Sequence, residues 1–296
     1  MISIVITSFK EPETIGKAIE SFVNQKVSEK YELIVSAPDK ETLDVAKKYQ
    51  QKYRQIKLFK DPGKGKSYAL NLLLPKLRGE IIILSDGDVF VSKNSVNELL
   101  KQFKDSKVGC VTGRPVSANL RNTMFGYWSH LLCDAGAHLA RLRRAKKGKF
   151  LECSGYLWAF RNGIIKTFPA DVAEDTIVPI LFWLKGYKIA YASKSAVYVK
   201  FPTNLHDFIE QKKRTAKGHE ELSKYVDIKK IPRMKTFKNE IVEGWHALFY
   251  PKTIKEVFWT ALLFPIRLYI WLLTFFHTKI KKQHYVDGWK RVESTK

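Results

Sequence analysis

The chain has 296 residues and a formal net charge of +23, from 52 lysines and arginines against 29 acidic residues. Such a basic balance predicts an anionic partner: a phosphorylated substrate, acidic lipid head groups or nucleic acid. Three cysteines, none in a CxxC pair, argue against a disulfide framework or a zinc site. A strand-like segment follows Met1 directly, so we expect no secretory signal and a catalytic part that stays in the cytoplasm.

Strand and helix patterns alternate through the first part of the chain. Strands are predicted at 2–6, 31–36, 55–60, 81–85 and 108–112, and helices near 15–23, 43–49, 66–77 and 96–103. Repeated strand–helix units predict a doubly wound α/β fold, with a mostly parallel sheet and helices on both faces.

The tripeptide Asp86-Gly87-Asp88 follows the predicted strand at 81–85, which opens with four large aliphatic residues. Such a run is typical of a strand buried on both faces, so both carboxylates would lie at its carboxyl end, where open α/β sheets bind ligands. Paired carboxylates suit a hard divalent cation that also binds a diphosphate. A solvated Asp-Gly-Asp turn is the alternative.

Gly65-Lys66-Ser67 superficially matches a P-loop, but that motif needs a glycine where this chain has Lys60. The chain also has no GxGxxG segment. Neither a P-loop nucleoside triphosphatase nor a dinucleotide-binding fold is therefore supported.

Several short segments, in this order, resemble those of the inverting glycosyltransferases of family 2, which have the GT-A fold. The resemblance covers about residues 1–220. The segments are IVITSFKEPETI from residue 4, GKGKSYALN from residue 63, ILSDGD from residue 83, Cys153-Ser154-Gly155, Glu174-Asp175, and QKKRT from residue 211. The last matches QxxRW except at its final position, and Cys153-Ser154-Gly155 resembles a small-residue strand on the acceptor side.

The resemblance implies roles for individual residues. Asp88 would bind a divalent cation, Mn²⁺ or Mg²⁺, and Asp86 would bridge the metal and the ribose. Asp175 would be the general base, supported by Glu174. The remaining residues would bind substrates: Thr7, Ser8, Glu11, Ser36 and Lys66 the nucleotide and its phosphates, and Ser154, Gly155, Gln211 and Arg214 the acceptor or the diphosphate. Because Asp175 precedes an apolar stretch, it could alternatively be a structural helix N-cap.

Two positions depart from the family pattern. Ser36-Ala37-Pro38-Asp39 stands where the family usually has Asp-Asp-Gly-Ser, which leaves base recognition open, with UDP favoured over GDP. Thr215 replaces the tryptophan on which polymerising members stack the acceptor sugar, which favours a single transfer over processive extension.

The segment 257–276 is apolar and long enough to cross a bilayer. Pro265 and Arg267 near its centre favour two short interfacial helices broken at Pro265, with Arg267 reaching the head groups. A single span and a buried helix pair are the alternatives. We therefore expect a catalytic domain at 1–225, divided into a nucleotide-sugar half (1–115) and an acceptor half (116–225). A membrane-associating region and basic tail would follow at 226–296.

The sequence thus predicts a metal-dependent inverting glycosyltransferase on the cytoplasmic face of the cell membrane. It would transfer a sugar from a nucleotide-sugar to a glycan or lipid-linked acceptor, at an anionic membrane surface. A sugar nucleotidyltransferase is an alternative, but Thr7-Ser8-Phe9-Lys10 is not its glycine-rich loop. A non-catalytic binder of anionic lipid or nucleic acid is another, but it would not need the ordered carboxylates. We do not expect nucleic acid as a partner.

Overall fold

The computed structural model describes residues 1–234, 236–276 and 293–295. Within them, eight strands form one sheet in the order β3-β2-β1-β4-β7-β6-β8-β5. The strands are β1 (Ile2–Thr7), β2 (Tyr31–Ala37), β3 (Ile56–Lys60), β4 (Ile81–Asp86), β5 (Phe90–Val91), β6 (Val108–Ser117), β7 (Leu157–Arg161) and β8 (Lys188–Val199).

The sheet is mostly parallel, as predicted, with two antiparallel strands. Strands β3, β2, β1 and β4 run parallel to one another, and β6 runs parallel to β8. Strand β7 is antiparallel to both β4 and β6, and the short β5 is antiparallel to β8. The predicted α/β class is therefore confirmed, and β7 joins the parallel strands β3, β2, β1 and β4 to the β6–β8 pair.

The helices pack on both faces of the sheet and beyond its edge. They are α1 (Ile15–Val23), α2 (Lys40–Lys52), α3 (Lys66–Leu73), α4 (Ser95–Gln102), α5 (Met124–Leu131), α6 (Leu139–Lys146), α7 (Glu174–Leu184), α8 (Leu205–Lys217), α9 (Phe237–Gly244) and α10 (Ile254–Phe275). A π-helical segment, Leu132–His138, connects α5 directly to α6.

Alternate residues of β4 enter two different apolar cores. Ile82 and Leu84 pack with α3 and α7 on one face, whereas Ile83 packs with α1, α2 and α4 on the other. Successive side chains of a strand point to opposite faces, so a continuous aliphatic run is the pattern expected of a strand covered on both sides. This double burial fixes the position of the turn that follows β4.

A third apolar cluster joins the C-terminal helix to the catalytic part. It contains Tyr127 and Trp128 of α5, Phe208 of α8, and Leu263 and Ile270 of α10. The indole of Trp128 also donates a hydrogen bond to the backbone oxygen of Trp259 (2.7 Å). Helix α10 is long and apolar enough to cross a membrane by length and composition, and about a fifth of its most apolar window (22%) is buried.

The prediction of two short helices broken at Pro265 is wrong, because α10 continues through that residue. Proline removes one backbone donor and disfavours a helix interior, but tertiary packing can hold the helix together. Arg267 does not extend outward either: its guanidinium forms an ion pair with Glu240 of α9, with Nε–Oε1 at 2.6 Å and Nη2–Oε2 at 2.7 Å. Glu240 of the neighbouring helix thus neutralises the charge of Arg267, which lies near the middle of the apolar segment. The predicted basic tail after residue 276 falls largely outside the described residues.

Candidate active site

The carboxyl ends of three adjacent strands form the floor of the candidate site. Thr7, the last residue of β1, is in register with Ser36 of β2 on one side and with Asp86 of β4 on the other. Backbone hydrogen bonds continue this edge past the strands, from Ser8 N to Ser36 O and from Gly87 N to Thr7 O, both at 2.9 Å. The structure thus brings together the residues predicted to bind the nucleotide and the metal.

Glu11 lies directly against the Asp86-Gly87-Asp88 turn. Ser8 Oγ donates a hydrogen bond to Glu11 Oε2 (2.6 Å). A side chain at position 87 would overlap Ser8 Oγ and stand 2.6 Å from Glu11 Oε2, so only glycine fits between the two carboxylates of the turn. Asp86 and Asp88 are half-buried, which leaves their oxygens at the surface of the cleft.

A carboxylate that the sequence analysis did not assign lies beside Ser36. Asp61, which follows β3, accepts hydrogen bonds from Ser36 Oγ (3.0 Å) and Gly63 N (2.8 Å), and it is buried. Burial raises the pKa of Asp61, although these hydrogen bonds oppose the shift. The sequence signal that could have identified Asp61 is its position at the carboxyl end of a predicted strand, as for Asp86.

Asp39 is not available for base recognition in this structure. It is the N-cap of α2 and accepts hydrogen bonds from the backbone nitrogens of Thr42 (2.9 Å) and Lys10 (2.7 Å). Burial raises its pKa, but these hydrogen bonds dominate and hold the pKa below its usual value. Asp61, which contacts Ser36, is a further carboxylate beside the residues predicted to bind the nucleotide.

Lys66 joins the two predicted catalytic regions. Its Nζ lies 2.7 Å from Asp86 Oδ1 and 2.7 Å from Glu174 Oε1, the latter at the start of α7. Burial alone would lower the pKa of Lys66, but attraction and hydrogen bonds to Asp86 and Glu174 hold it well above its usual range. The contact of Lys66 with donor phosphate stays a prediction; here its ammonium neutralises two carboxylates.

Asp175 lies in the first turn of α7, and the N-cap position belongs to Ala173, so the structural-cap alternative is wrong. The carboxylate instead faces Gly155, where an added Cβ would stand 3.2 Å from Asp175 Oδ2. Asp175 is half-buried, whereas Glu174 beside it is buried against Lys66. The accessible carboxylate of the pair is therefore Asp175, as a general base requires.

Residues 153–155 form a loop before β7 and not the predicted strand. The loop is held by a hydrogen bond from Ser154 N to Thr112 Oγ1 (3.0 Å) and by one from Ser85 Oγ to Tyr156 O (2.9 Å). Its backbone is used for these side-chain contacts rather than for strand pairing. The loop still places Gly155 against Asp175, on the predicted acceptor side.

Helix α8 carries Arg214 close enough to influence Tyr156 electrostatically, and Gln211 of the same helix is buried. The end of this helix is tied to the start of α7, since Ala173 N donates a hydrogen bond to Gly218 O (3.2 Å). Half-buried Tyr156 lies between the two regions: burial raises the pKa of its phenol, Arg214 lowers it and Asp88 raises it. Tyr156 is a further site residue that the sequence analysis missed, and no spacing motif pointed to it.

The metal ligands predicted from sequence are two carboxylates one residue apart. Within the described residues, no group of three or more His, Cys, Asp or Glu side chains is placed to hold a metal ion. Magnesium and similar ions commonly use only one or two carboxylates, with water and substrate phosphates completing their coordination. Asp86 and Asp88 therefore fit a cation that binds together with a diphosphate.

Residues 1–218 match the family model described as "Glycosyltransferase like family 2". The chain belongs to this family. Among curated relatives, it is 27% identical over 232 residues to a probable glycosyltransferase, YdaM, of Bacillus subtilis (strain 168), covering 74% of this chain and 55% of the relative. It is 25% identical over 199 residues to a hyaluronan synthase of Streptococcus pyogenes serotype M1, covering 62% of this chain and 45% of the relative.

Solved structures of low sequence identity share this family member's fold. The mannosyltransferase PcManGT from Pyrobaculum calidifontis, in complex with GDP-Man and Mn²⁺, superposes with a TM-score of 0.62 at 16% identity, covering 95% of this chain and 80% of that one. S. aureus TarS 1-349 in complex with UDP-GlcNAc superposes with a TM-score of 0.51 at 17% identity, covering 73% of this chain and 65% of that one. The chain spans about half the length of the curated relatives it matches.

Proposed function

We propose that this chain is a metal-dependent, inverting glycosyltransferase that moves a sugar from a nucleotide-sugar to a lipid-linked or membrane-proximal acceptor. The observation that carries the proposal is the position of Lys66, whose Nζ is 2.7 Å from both Asp86 and Glu174. This contact puts the carboxylate turn after β4 and the Glu174-Asp175 pair in one cleft. Donor activation and deprotonation of the acceptor need these two groups side by side.

The donor binds along the carboxyl ends of β1, β2 and β4. Glu11 and Asp86 would contact the ribose, and Thr7, Ser8 and Ser36 the base; Asp61 is hydrogen-bonded to Ser36. We favour a UDP-sugar from the family resemblance. The two nucleotides in the structural neighbours, GDP in PcManGT and UDP in TarS, both remain candidates for the binding experiment below.

Asp88, with Asp86, would hold Mn²⁺ or Mg²⁺ against the diphosphate. When bound there, the cation would act as a Lewis acid towards the departing diphosphate. The presence of Mn²⁺ in the PcManGT complex is consistent with this assignment. Arg214 of α8, whose charge influences Tyr156, would add a positive charge towards the diphosphate.

Asp175 removes the proton from the acceptor hydroxyl as its oxygen attacks the sugar C1. The bond from C1 to the diphosphate oxygen breaks, and the new glycosidic bond forms on the opposite face of the sugar, which inverts the configuration. Glu174 remains paired with Lys66 and fixes the first turn of α7, and so the direction of Asp175. Ser154, Gly155 and Gln211 line the acceptor side of this base.

The acceptor side continues towards a membrane. Exposed apolar residues are concentrated on α9, on 245–249 and on α10, and the +23 charge favours an anionic surface. We therefore propose that 226–296 associates with the cytoplasmic face of the membrane and 1–225 is the catalytic domain. Thr215 offers no aromatic platform for a growing chain, which supports a single transfer.

Calorimetric titration of the full chain with UDP and with GDP, each with and without Mn²⁺, tests the donor site. We expect one nucleotide to bind, and binding to require the metal. A folded protein that binds neither nucleotide would overturn the proposal.

A further inference from the structure

A cavity of about 880 Å³ lies between the helices that follow the catalytic cleft. Its walls are the π-helical segment 132–138 and α6 on one side, α8 on a second, and α9 with α10 on the third. Most of the lining is apolar, and it includes Leu131, Leu132, Leu263, Leu268, Ile270 and Trp271. The composition and size suit a hydrocarbon chain.

The cavity has unfilled space next to the π-helical segment. A Cβ added at Gly136 would meet no atom within 4 Å, although Gly136 belongs to the cavity lining. On the opposite wall, Thr274 Oγ1 is buried and has no hydrogen-bond partner among the described residues. The interior is therefore not closed by side-chain packing, as an ordinary protein core would be.

The charged residues of the lining are mostly basic. Among described lining residues, the cations are Arg141, Arg144, Lys212, Arg233 and Arg267, and the one carboxylate is that of Glu240. Glu240 is already engaged by Arg267 and by Trp271 Nε1 (2.8 Å). With five cations against one carboxylate among the described lining residues, the lining carries a net positive charge.

Two of these cations are held in place by the backbone. Arg141, which is buried, donates from Nε to Glu152 O (3.3 Å), and Arg144 donates from Nε to Phe150 O (2.9 Å). Burial lowers the pKa of Arg144, and the charge of nearby Glu152 offsets this only in part. An anion beside α6 would lower the free energy of such a buried guanidinium.

The cavity is continuous with the exposed apolar surface and with the active-site helix. Trp245 and Leu248 line it and are also exposed. Lys212 and Thr215 line it from α8, the helix that carries Arg214 into the catalytic cleft. The cavity therefore borders both the exposed apolar surface and α8.

We propose that this cavity binds a lipid with a single long hydrocarbon chain and an anionic phosphate head group. The hydrocarbon chain lies among the apolar residues of α5, α9 and α10, and the phosphate contacts Arg144, Arg141, Arg233 and Lys212. This inference rests on the shape and charge of the cavity and goes beyond the proposed glycosyltransferase function.

Equilibrium binding of radiolabelled hexadecyl phosphate to the full, detergent-purified chain tests the proposal. Unlabelled hexadecyl phosphate, hexadecanol and inorganic phosphate serve as competitors, which separates a lipid phosphate from a free phosphate. We expect saturable binding that the first competitor displaces at least about tenfold better than either of the others. Equal displacement by hexadecanol would show that the phosphate head group is not recognised. Equal displacement by inorganic phosphate would show that the hydrocarbon chain is not bound.

Two variants and one control locate the binding. Arg144→Gln should weaken hexadecyl phosphate binding about tenfold, the effect of losing one charge-assisted contact, and Gly136→Leu should weaken it by filling the cavity. Lys146→Gln, an exposed residue of the same helix, should bind like the unmodified chain. If Arg144→Gln and Lys146→Gln bind alike, the assignment is wrong.

Metal-dependent nucleotide binding is measured on every variant. It should be unchanged, because none of these residues lies in the donor site, and it shows that each variant is folded. Loss of nucleotide binding in the unmodified chain would refute the proposed function. Loss of lipid binding alone would refute only the inference about the cavity.

Discussion

The ammonium group of Lys66 lies 2.7 Å from Asp86 Oδ1, so one of the two predicted metal ligands is already ion-paired. The same nitrogen contacts Glu174, and all three side chains are largely withdrawn from water. A buried charge is stable only when it is paired. Through its contacts with Asp86 and Glu174, Lys66 links the turn after β4 to the first turn of α7.

Replacing Lys66 by methionine should destabilise the fold by about 3 kcal/mol, because it leaves the buried Glu174 and the half-buried Asp86 without their cation. Urea denaturation of Lys66→Met against Lys64→Met, an exposed lysine of the loop before α3, measures the difference. The pKa of Lys66 is raised in the folded state, so its contribution is complete below pH 10.5 and is lost as the pH rises through the raised value. Equal stability of the two variants would show that the ion pair is not structural.

Asp175→Asn should abolish sugar transfer while nucleotide binding persists, because an amide cannot accept the proton of the acceptor hydroxyl. Loss of a general base typically lowers the rate by roughly 10²–10⁴-fold. Turnover and calorimetric nucleotide binding are measured on the same preparation. Glu174→Gln is the informative comparison: it breaks the ion pair with Lys66 and should lower stability as well as rate. Near-normal turnover of Asp175→Asn would disprove the assignment of the base.

Asp88→Asn should weaken nucleotide binding in the presence of Mn²⁺, because the metal on which binding depends is held less tightly. One lost carboxylate ligand is expected to change metal affinity by at least about tenfold, because the remaining ligands are few. Asp44→Asn, an exposed position on α2, is the matched control. If both variants retain the same manganese dependence, Asp88 is not a ligand.

The sequence predicted the donor half well because its signals are local. The aliphatic run before Asp86 is confirmed as a strand buried on both faces. The same kind of pattern predicted β1 and β2 to within one residue of their observed ends at Thr7 and Ala37. The residues it missed are positioned by distant contacts. Asp61 becomes a site residue through its hydrogen bond with Ser36. Tyr156 is positioned by the loop before β7, a strand that pairs with β4 and β6.

Long-range pairing also explains the wrong prediction for the C-terminal segment. The hydrophobic periodicity of a segment shows which face of its own helix is apolar. It does not show which charged residue of another helix will lie beside it. Glu240 is 27 positions from Arg267, so the pattern around Arg267 could not reveal that its charge is neutralised. With that charge paired and one face packed on α5 and α8, a continuous helix through Pro265 becomes the stable arrangement.

Arg121 anchors the first turn of α10 and should be needed for its docking. The guanidinium donates to both oxygens of Glu256 (2.8 and 3.0 Å) and lies over the ring of Tyr250. Glu256→Gln should cost about 2 kcal/mol of stability, the range for hydrogen bonds to charged groups. Limited proteolysis and urea denaturation against Lys255→Gln measure this, and indistinguishable curves would contradict it.

The same contact should depend on pH. Hydrogen bonds from Arg121 lower the pKa of Glu256, with burial opposing them. The stabilisation is therefore complete above the ordinary glutamate value of 4.5 and is lost as the pH falls through the lowered folded-state pKa. In Glu256→Gln, this part of the acid dependence should be absent, and an unchanged acid profile would assign it to other carboxylates.

Phe249→Glu should weaken binding to anionic vesicles, because Phe249 is 76% exposed beside the exposed apolar residues of α9 and α10. Losing one large apolar contact at a membrane surface removes roughly 1.5–3 kcal/mol, and the added negative charge is repelled, so we expect at least about a tenfold loss. Sedimentation with phosphatidylglycerol vesicles measures the affinity. Leu184→Glu is the control, since Leu184 is 48% exposed at the end of α7, outside this surface. Equal losses in both variants would point to charge alone, and no loss in Phe249→Glu would remove this face from the membrane contact.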